Sequence, residues 1–167
     1  MLALGCGQSD VRGTYRVEIE ISSASGPITG TLILSTGILD VPAITAEDQK
    51  NVGDWFESDT LDANSCFVLE SGTGDDRTLQ NVRVFEAHIS GGDVELPIEI
   101  YRTPLQHLEI VELQFFAETF GGDVILYDRG QQRSGRIHGV RLGRANPQKC
   151  LDDLQTFREI LRSSLSQ

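Results

Sequence analysis

Apolar and polar residues alternate over several short segments of the chain, which is the pattern of β-strands with one buried face. In the first segment Tyr15, Val17 and Ile19 alternate with charged residues. Segments rich in Ser and Gly lie between the alternating stretches and predict turns. The pattern predicts eight strands joined mainly in antiparallel order, at 14–21, 28–35, 66–70, 79–89, 94–100, 108–119, 124–129 and 136–142.

A short internal repeat bears on two of these boundaries. The sequence Gly-Gly-Asp-Val occurs at 91–94 and again at 121–124. Glycine adopts the positive φ of tight turns at little cost, so both copies are predicted to be turns that open a new strand. Two copies do not indicate a repeat architecture, because stacked repeats need at least three units to bury a common core.

The C-terminal segment follows a different period. Its apolar residues are spaced by three or four positions, which places them on one face of a helix. Asn146 offers a capping side chain, and Pro147 suits the first helical position. An amphipathic helix at 147–165 is therefore predicted to pack on the sheet. Its apolar face comprises Leu151, Leu154, Phe157, Leu161 and Leu165.

Length and composition place these elements in one folded domain. A chain of 167 residues with 39% hydrophobic residues can bury a substantial core, and this composition is not that of a disordered protein. No apolar run approaches 18 residues, so no membrane-spanning helix is predicted. We interpret residues 1–12 as a tether and 13–167 as a single β domain with an acidic connection at 36–64.

The charge of the chain is strongly acidic and unevenly distributed. There are 14 Lys and Arg residues against 25 Asp and Glu, a net charge of −11. This balance argues against non-specific binding of nucleic acid, which requires clustered cations. Segment 40–76 holds ten acids against Lys50, or −9, whereas 129–149 holds six bases and no acid, or +6. The simplest interpretation is two solvated surfaces that attract each other weakly.

Two binding interpretations of these charged segments remain open. Carboxylates crowded in one loop supply the oxygen ligands that calcium prefers, although their spacing does not follow the EF-hand pattern. Arginine makes planar, bidentate contacts, so the basic segment would suit an anionic partner or glycan. The calcium candidates are Asp54, Glu57, Asp59 and Asp62, and the anion-binding candidates are Arg129, Arg133, Arg136 and Arg141.

The first residues, Met-Leu-Ala-Leu-Gly-Cys-Gly, resemble the end of a bacterial lipoprotein signal peptide, in which a small residue precedes the lipidated cysteine. The resemblance implies that Cys6 carries the lipid and that the protein is anchored to a membrane of the cell envelope, facing the periplasm or the exterior. A complete signal also has a basic and an apolar region before this box, so we expect both to be encoded before Met1. The alternative is an apolar tail with a chance cysteine.

The remaining cysteines form one possible pair. If Cys6 is lipidated, Cys66 and Cys150 are left, and export to an oxidising compartment would allow them to form a disulfide. The alternative is two buried free thiols. No cysteine or histidine spacing indicates a zinc site.

Eight antiparallel strands followed by one helix resemble the barrel of the lipocalin and calycin families. The resemblance implies a helix on the outside of the barrel and a cavity for a small apolar ligand. The family's first-strand signature Gly-x-Trp is matched as Gly13-Thr14-Tyr15, with Tyr in place of Trp, and a β-sandwich or jelly roll is the structural alternative. The inward-facing set that would line a cavity, or else fill a closed core, is Tyr15, Val17, Ile19, Val94, Leu96 and Ile98.

No catalytic motif emerges from the sequence. His88 and His107 each have a glutamate two residues away, which is not a known site spacing, and no nucleophile elbow, HExxH helix or phosphate-binding loop occurs. We therefore predict a non-enzymatic, lipid-anchored envelope protein without a cofactor that binds a small apolar ligand or an envelope partner. A periplasmic scaffold or interaction module without a ligand pocket is the alternative, and an enzyme using carboxylates and histidines ranks third.

Overall fold

The computed structural model describes residues 10–22, 26–43, 62–72, 74–90, 93–95 and 99–165. Within these ranges, eight strands form one antiparallel sheet that curls into a nearly closed barrel, and two short strands form a separate hairpin. One helix, α1, follows at the C-terminus. The elements are β1 Gly13–Ile21, β2 Ile28–Leu34, β3 Ser65–Ser71, β4 Thr78–Phe85, β5 His88–Ser90, β6 Asp93–Glu95, β7 Glu99–Thr103, β8 Gln106–Phe115, β9 Thr119–Asp128, β10 Gln131–Gly143 and α1 Pro147–Leu165.

The strand order explains how the sheet closes. Neighbours run β4-β3-β2-β1-β10-β9-β8-β7, so β1 pairs with the last strand, and Val17 lies opposite Gly139. The two outer strands, β4 and β7, meet without a strand ladder between them. At this seam the Asn81 side chain donates a hydrogen bond from Nδ2 to the carbonyl oxygen of Tyr101 at 2.7 Å. The predicted eight-stranded antiparallel barrel is confirmed, and the sandwich alternative is excluded.

The barrel interior is an apolar core built by the period-two pattern. In β1 every second residue from Gly13 to Ile21 is buried, and the intervening residues are exposed or half-buried. The ring of Tyr15 makes edge contacts with Phe115 and Phe120, with centroids 5.7 and 5.3 Å apart. Its hydroxyl donates to the carbonyl oxygen of Val11 at 2.7 Å. The buried phenol therefore keeps a hydrogen-bond partner in an apolar setting.

A second apolar core lies outside the barrel, beneath α1. The outer faces of β2, β3 and β4 contribute Ile33, Val68 and Val82, against which the helix packs Leu154 and Phe157. These three strands are consequently buried on both faces. The predicted helix at 147–165 is confirmed, and so is its position on the outside of the barrel.

The start of α1 is fixed by a cap and a covalent bond. The backbone N–H of Lys149 donates to Oδ1 of Asn146 at 3.4 Å and to its carbonyl oxygen at 3.1 Å. In the first turn, Cys150 Sγ lies 2.09 Å from Cys66 Sγ, and both residues are fully buried. The proposed pairing thus has disulfide geometry and joins the helix to β3.

Charged side chains surround this junction. Asp153, which is buried, accepts from Arg77 at 2.5 Å and from Lys149 at 2.8 Å. Glu70 bonds the same two cations and also accepts from the Thr31 hydroxyl at 2.5 Å. Two carboxylates therefore share two cations between α1 and the sheet, and hydrogen bonding to Asp153 raises the pKa of Arg77.

Three sequence-based boundaries were wrong. The predicted strand at 94–100 is divided between β6, which ends at Glu95 and pairs with β5, and β7, which begins at Glu99 in the barrel sheet. The predicted strand at 79–89 ends at Phe85, and a separate short hairpin of β5 and β6 follows. The predicted turn at 121–124 lies inside β9 instead, and the turn falls earlier, where the Phe116 N–H donates to the Thr119 carbonyl. Glycine is needed at 122 for a different reason: a Cβ there would lie 1.8 Å from the carbonyl oxygen of Glu112, where β8 bulges.

Candidate functional site

The side chains expected to line a ligand cavity are packed against their neighbours. Tyr15, Val17 and Ile19 are at most 1% exposed and belong to the interior core. Val94 is half-buried against the same core, whereas Leu96 and Ile98 lie outside the described residues. Because the exposure of the first three is so small, no water-sized space adjoins them. Around β1 the interior is filled.

The four arginines of the basic segment do not form one surface. Arg129 lies in the β9–β10 turn, and the others follow along β10. Arg136 is separated by an odd number of residues from both Arg133 and Arg141, so its side chain points to the opposite face of the sheet. Arg133 and Arg141 share a face but stand eight positions apart, which is about 27 Å along a strand. The structure therefore does not bring the anion-binding candidates together.

Arg136 in particular has acidic neighbours. Its partners across the sheet are Glu20 on β1 and Asp123 on β9. All three lie on the outer face, where alternating charges of opposite sign stabilise the pairing of adjacent strands. Neither Glu20 nor Asp123 belongs to the acidic segment 40–76.

The remaining site candidates fall largely outside the described residues. This holds for Cys6 and for three calcium candidates, Asp54, Glu57 and Asp59, while Asp62 is exposed beside the start of β3. Across the described part of the chain, no group of three or more His, Cys, Asp or Glu side chains is placed to hold a metal ion. None of the described helical residues forms a stretch long and apolar enough to cross a membrane.

An aromatic row on the outer face of β7, β8 and β9 was not anticipated. The ring of His107 stacks on Tyr127 with centroids 4.6 Å apart and an interplanar angle of 11°, and it contacts Tyr101 at 5.0 Å. Nε2 of His107 lies 3.3 Å from Glu99 Oε1. The Tyr127 hydroxyl donates to Glu109 Oε2 at 3.1 Å.

This row stabilises the sheet and leaves polar atoms at the surface. The hydrogen bond to Glu109 raises the pKa of Tyr127, so the phenol remains a neutral donor well into alkaline solution. Cross-strand aromatic pairs of this kind contribute to strand pairing. In the sequence, Glu99 and Tyr101 lie two positions apart, as do His107 and Glu109, which places each pair on one face of a strand. Only the register of β7, β8 and β9 shows that these residues meet.

One end of the barrel carries exposed apolar residues beside the first described residue. We call this end the N-terminal rim and define it by Asp10, Ile38, the turn at 116–118 and Leu142. β1 and β9 begin at this end, and β2, β8 and β10 end there. Thr14 pairs with Gly143, and the Glu118 carbonyl accepts a hydrogen bond from the Arg141 N–H at 2.8 Å, which places these segments side by side.

The entry of the chain into this rim is held by an ion pair. Arg12 Nη2 lies 2.7 Å from Asp10 Oδ2, and the Arg12 backbone N–H also donates to Asp10. These hydrogen bonds lower the pKa of Asp10 from 3.8 to about 2. Both side chains are about half exposed, so the stabilisation is small.

Comparisons of the chain with protein-family models, with curated protein sequences and with solved structures gave no match. The likeness to lipocalins consequently rests on architecture: a nearly closed eight-stranded antiparallel barrel with one C-terminal helix.

Proposed function

We propose that this chain is a non-enzymatic lipoprotein of the cell envelope, anchored through Cys6, whose barrel is a rigid scaffold that acts through its outer surface. The observation that carries the proposal is the pairing of Cys66 with Cys150. A buried disulfide is typical of proteins that fold in an oxidising compartment. The pairing also accounts for two of the three cysteines and leaves Cys6 for the thioether bond of a lipid anchor.

The filled interior around β1 favours a scaffold over a carrier of an apolar ligand. A ligand would have to displace the contacts that Tyr15 makes with Phe115 and Phe120. Close-packed interiors resist such insertion, because even one additional methylene group costs free energy. Titration with a fluorescent fatty-acid analogue checks this point. We expect no saturable binding, whereas one-to-one binding that is abolished by Val17→Trp would favour the ligand carrier.

The polar groups on the outer face also fit a binding role better than catalysis. His88 and His107 each face one carboxylate, at 3.1 and 3.3 Å, and His88 is two-thirds exposed. A catalytic acid or base needs a positioned, water-excluding site. The exposed pair at His88 and the half-buried pair at His107 instead suit contact with an envelope partner.

Mass spectrometry of the membrane fraction tests the anchor. The protein should be expressed together with the genomic sequence that precedes the Met1 codon. We expect a mature chain that begins at Cys6 with a diacylglyceryl thioether, and we expect Cys6→Ser to remain unprocessed. A chain in the same fraction that retains residues 1–5 with an unmodified Cys6 would overturn the proposal.

A further inference from the structure

The N-terminal rim concentrates apolar side chains that contact solvent. Ile38 is 74% exposed, Leu142 61% and Phe116 58%. Among the described residues these are three of the six large hydrophobic side chains that are prominently exposed. The other three are scattered over the opposite turn, the middle of β8 and the helix, at Leu105, Val111 and Ile160.

These three residues come from separate parts of the chain. Ile38 follows β2, Phe116 opens the β8–β9 turn and Leu142 lies near the end of β10. The hydrogen bond from the Arg141 N–H to the Glu118 carbonyl holds the last two segments side by side. The sequence separation of the residues means that no local pattern made them exposed, and the fold alone gathers them at one end.

The short length of chain between Cys6 and Asp10 favours a membrane as the partner of this end of the barrel. Asp10 is the first described residue and lies on the rim, and Cys6 is four positions before it in the sequence. A chain of that length reaches at most about 14 Å when fully extended. A lipid on Cys6 would therefore hold the N-terminal rim closer to the bilayer than any other part of the barrel.

We propose that the N-terminal rim docks on the lipid bilayer and inserts Ile38, Phe116 and Leu142 into its headgroup region, which rests on the proposed anchor at Cys6. Single apolar side chains are scattered over every protein surface, but several at the same end of a barrel, beside an anchored terminus, can enter a membrane interface together. The two acyl chains of a diacylglyceryl anchor already attach the protein stably but leave the barrel free to turn on its tether, so the contact at the rim fixes the orientation of the barrel.

The charges of the rim permit this contact without driving it. Arg144 is exposed and suits a lipid phosphate, because its guanidinium makes bidentate contacts with phosphate oxygens. Arg12 is already bonded to Asp10, and Glu118 adds a second carboxylate. With both signs present, the apolar side chains account for the docking, and anionic lipid should have a modest effect.

Brominated-lipid quenching of tryptophan fluorescence tests the orientation. The full chain would be coupled through the Cys6 thiol to a maleimide lipid in vesicles of phosphatidylethanolamine and phosphatidylglycerol. Phe116→Trp and Leu142→Trp report on the rim, and Leu105→Trp in the β7–β8 turn at the opposite end is the matched control. Trp55, the one native tryptophan, would be replaced by Phe in all three. We expect strong quenching for both rim positions and none for the control.

A long-tether version separates insertion from simple proximity. About 20 Gly and Ser residues inserted between Cys6 and Asp10 release the barrel from the surface without changing the rim. Quenching that persists at the rim with this tether supports docking. Equal quenching at all three positions, or its loss with the long tether, would overturn the proposal.

Vesicle co-flotation gives a second measurement that leaves Trp55 in place. For the untethered Cys6→Ser chain, removal of all three apolar side chains in Ile38→Ser/Phe116→Ser/Leu142→Ser should lower partitioning by at least about tenfold. Unchanged partitioning, or a dimer in solution that this variant abolishes, would overturn the lipid assignment. Because the tether is installed chemically, these results do not depend on whether cells lipidate Cys6.

Discussion

The ring of Phe120 occupies the space that a side chain on Gly139 would need. A Cβ built on Gly139 would lie 1.9 Å from Cε2 of that ring. The two residues are register partners on β9 and β10, and both face the barrel interior. An aromatic ring packed over a glycine on the neighbouring strand fills the interior and allows the sheet to curve tightly.

Gly139→Ala should therefore destabilise the protein, by about 1 to 3 kcal/mol, because the added methyl group overpacks the core. Urea unfolding measures the change. Gly143→Ala is the matched control, since nothing lies within 4 Å of its Cβ position on the same strand. Combining Gly139→Ala with Phe120→Leu should cost less than the sum of the single changes, because the residues share one space. Equal stability of the two alanine variants would contradict this packing.

The bond between Cys66 and Cys150 should contribute strongly to stability. It closes a loop of 84 residues, for which chain entropy gives about 4.5 kcal/mol. Cys66→Ser/Cys150→Ser should lower the free energy of unfolding by up to this amount and remove its dependence on reductant, and Cys6→Ser should change neither. Alkylation of all three cysteines in guanidinium without reductant would show that the bond does not form.

The seam between β4 and β7 should weaken when Asn81 is replaced. Asn81 is buried. Its side chain donates a hydrogen bond to the Tyr101 carbonyl oxygen and accepts one from the Val82 N–H. Asn81→Ala leaves both backbone groups without this partner, which should cost about 2 kcal/mol or more. Hydrogen exchange should accelerate at β7 and remain unchanged at β1, with the exposed Gln114→Ala as control. Uniform acceleration over all strands would instead indicate global destabilisation.

The ion pair at the entry of the chain gives a pH-dependent signal. Asp10 should titrate near a pKa of about 2, against 3.8 for a free aspartate. Its folded pKa is lowered, so the stabilisation is complete above pH 3.8 and is lost as the pH falls through about 2. The carboxyl chemical shift of Asp10 measures this titration, and Arg12→Gln should raise the pKa towards the ordinary value without reaching it, because the backbone N–H of residue 12 still donates to the carboxylate. Titration near 3.8 in the unmodified chain would refute the pair.

The elements with the cleanest periodicity were predictable from the sequence. β1 alternates strictly between apolar and polar residues, and α1 has a regular apolar face with an Asn-Pro start. The start of β9 was predicted wrongly because Gly-Gly-Asp is typical of turns. In the structure, glycine is required at 122 because the backbone of β8 at Glu112 leaves no room for a side chain. That requirement arises from a strand partner and has no local signature.

The candidate surfaces needed information that a single sequence lacks. His107 and Tyr127 stack because of the β8–β9 register, which the bulge between Ile110 and Glu112 shifts by one residue. Successive residues of a strand point to opposite faces, so the arginines of β10 lie on two faces although they are close in sequence. The net charge of a sequence segment therefore does not predict a charged surface, because the strand register decides which side chains share a face.

The covalent link from β3 to the first turn of α1 also sets the mechanical behaviour of the molecule. Residues 67–149 form a closed ring behind Cys66 and Cys150, so a pull applied to the two ends of the chain does not pass through β4 to β10. Under such a load only the segments before Cys66 and after Cys150 can straighten. The barrel strands inside the ring cannot add to the extension of the chain until the disulfide is reduced. The bond therefore limits how far a tethered molecule can be extended.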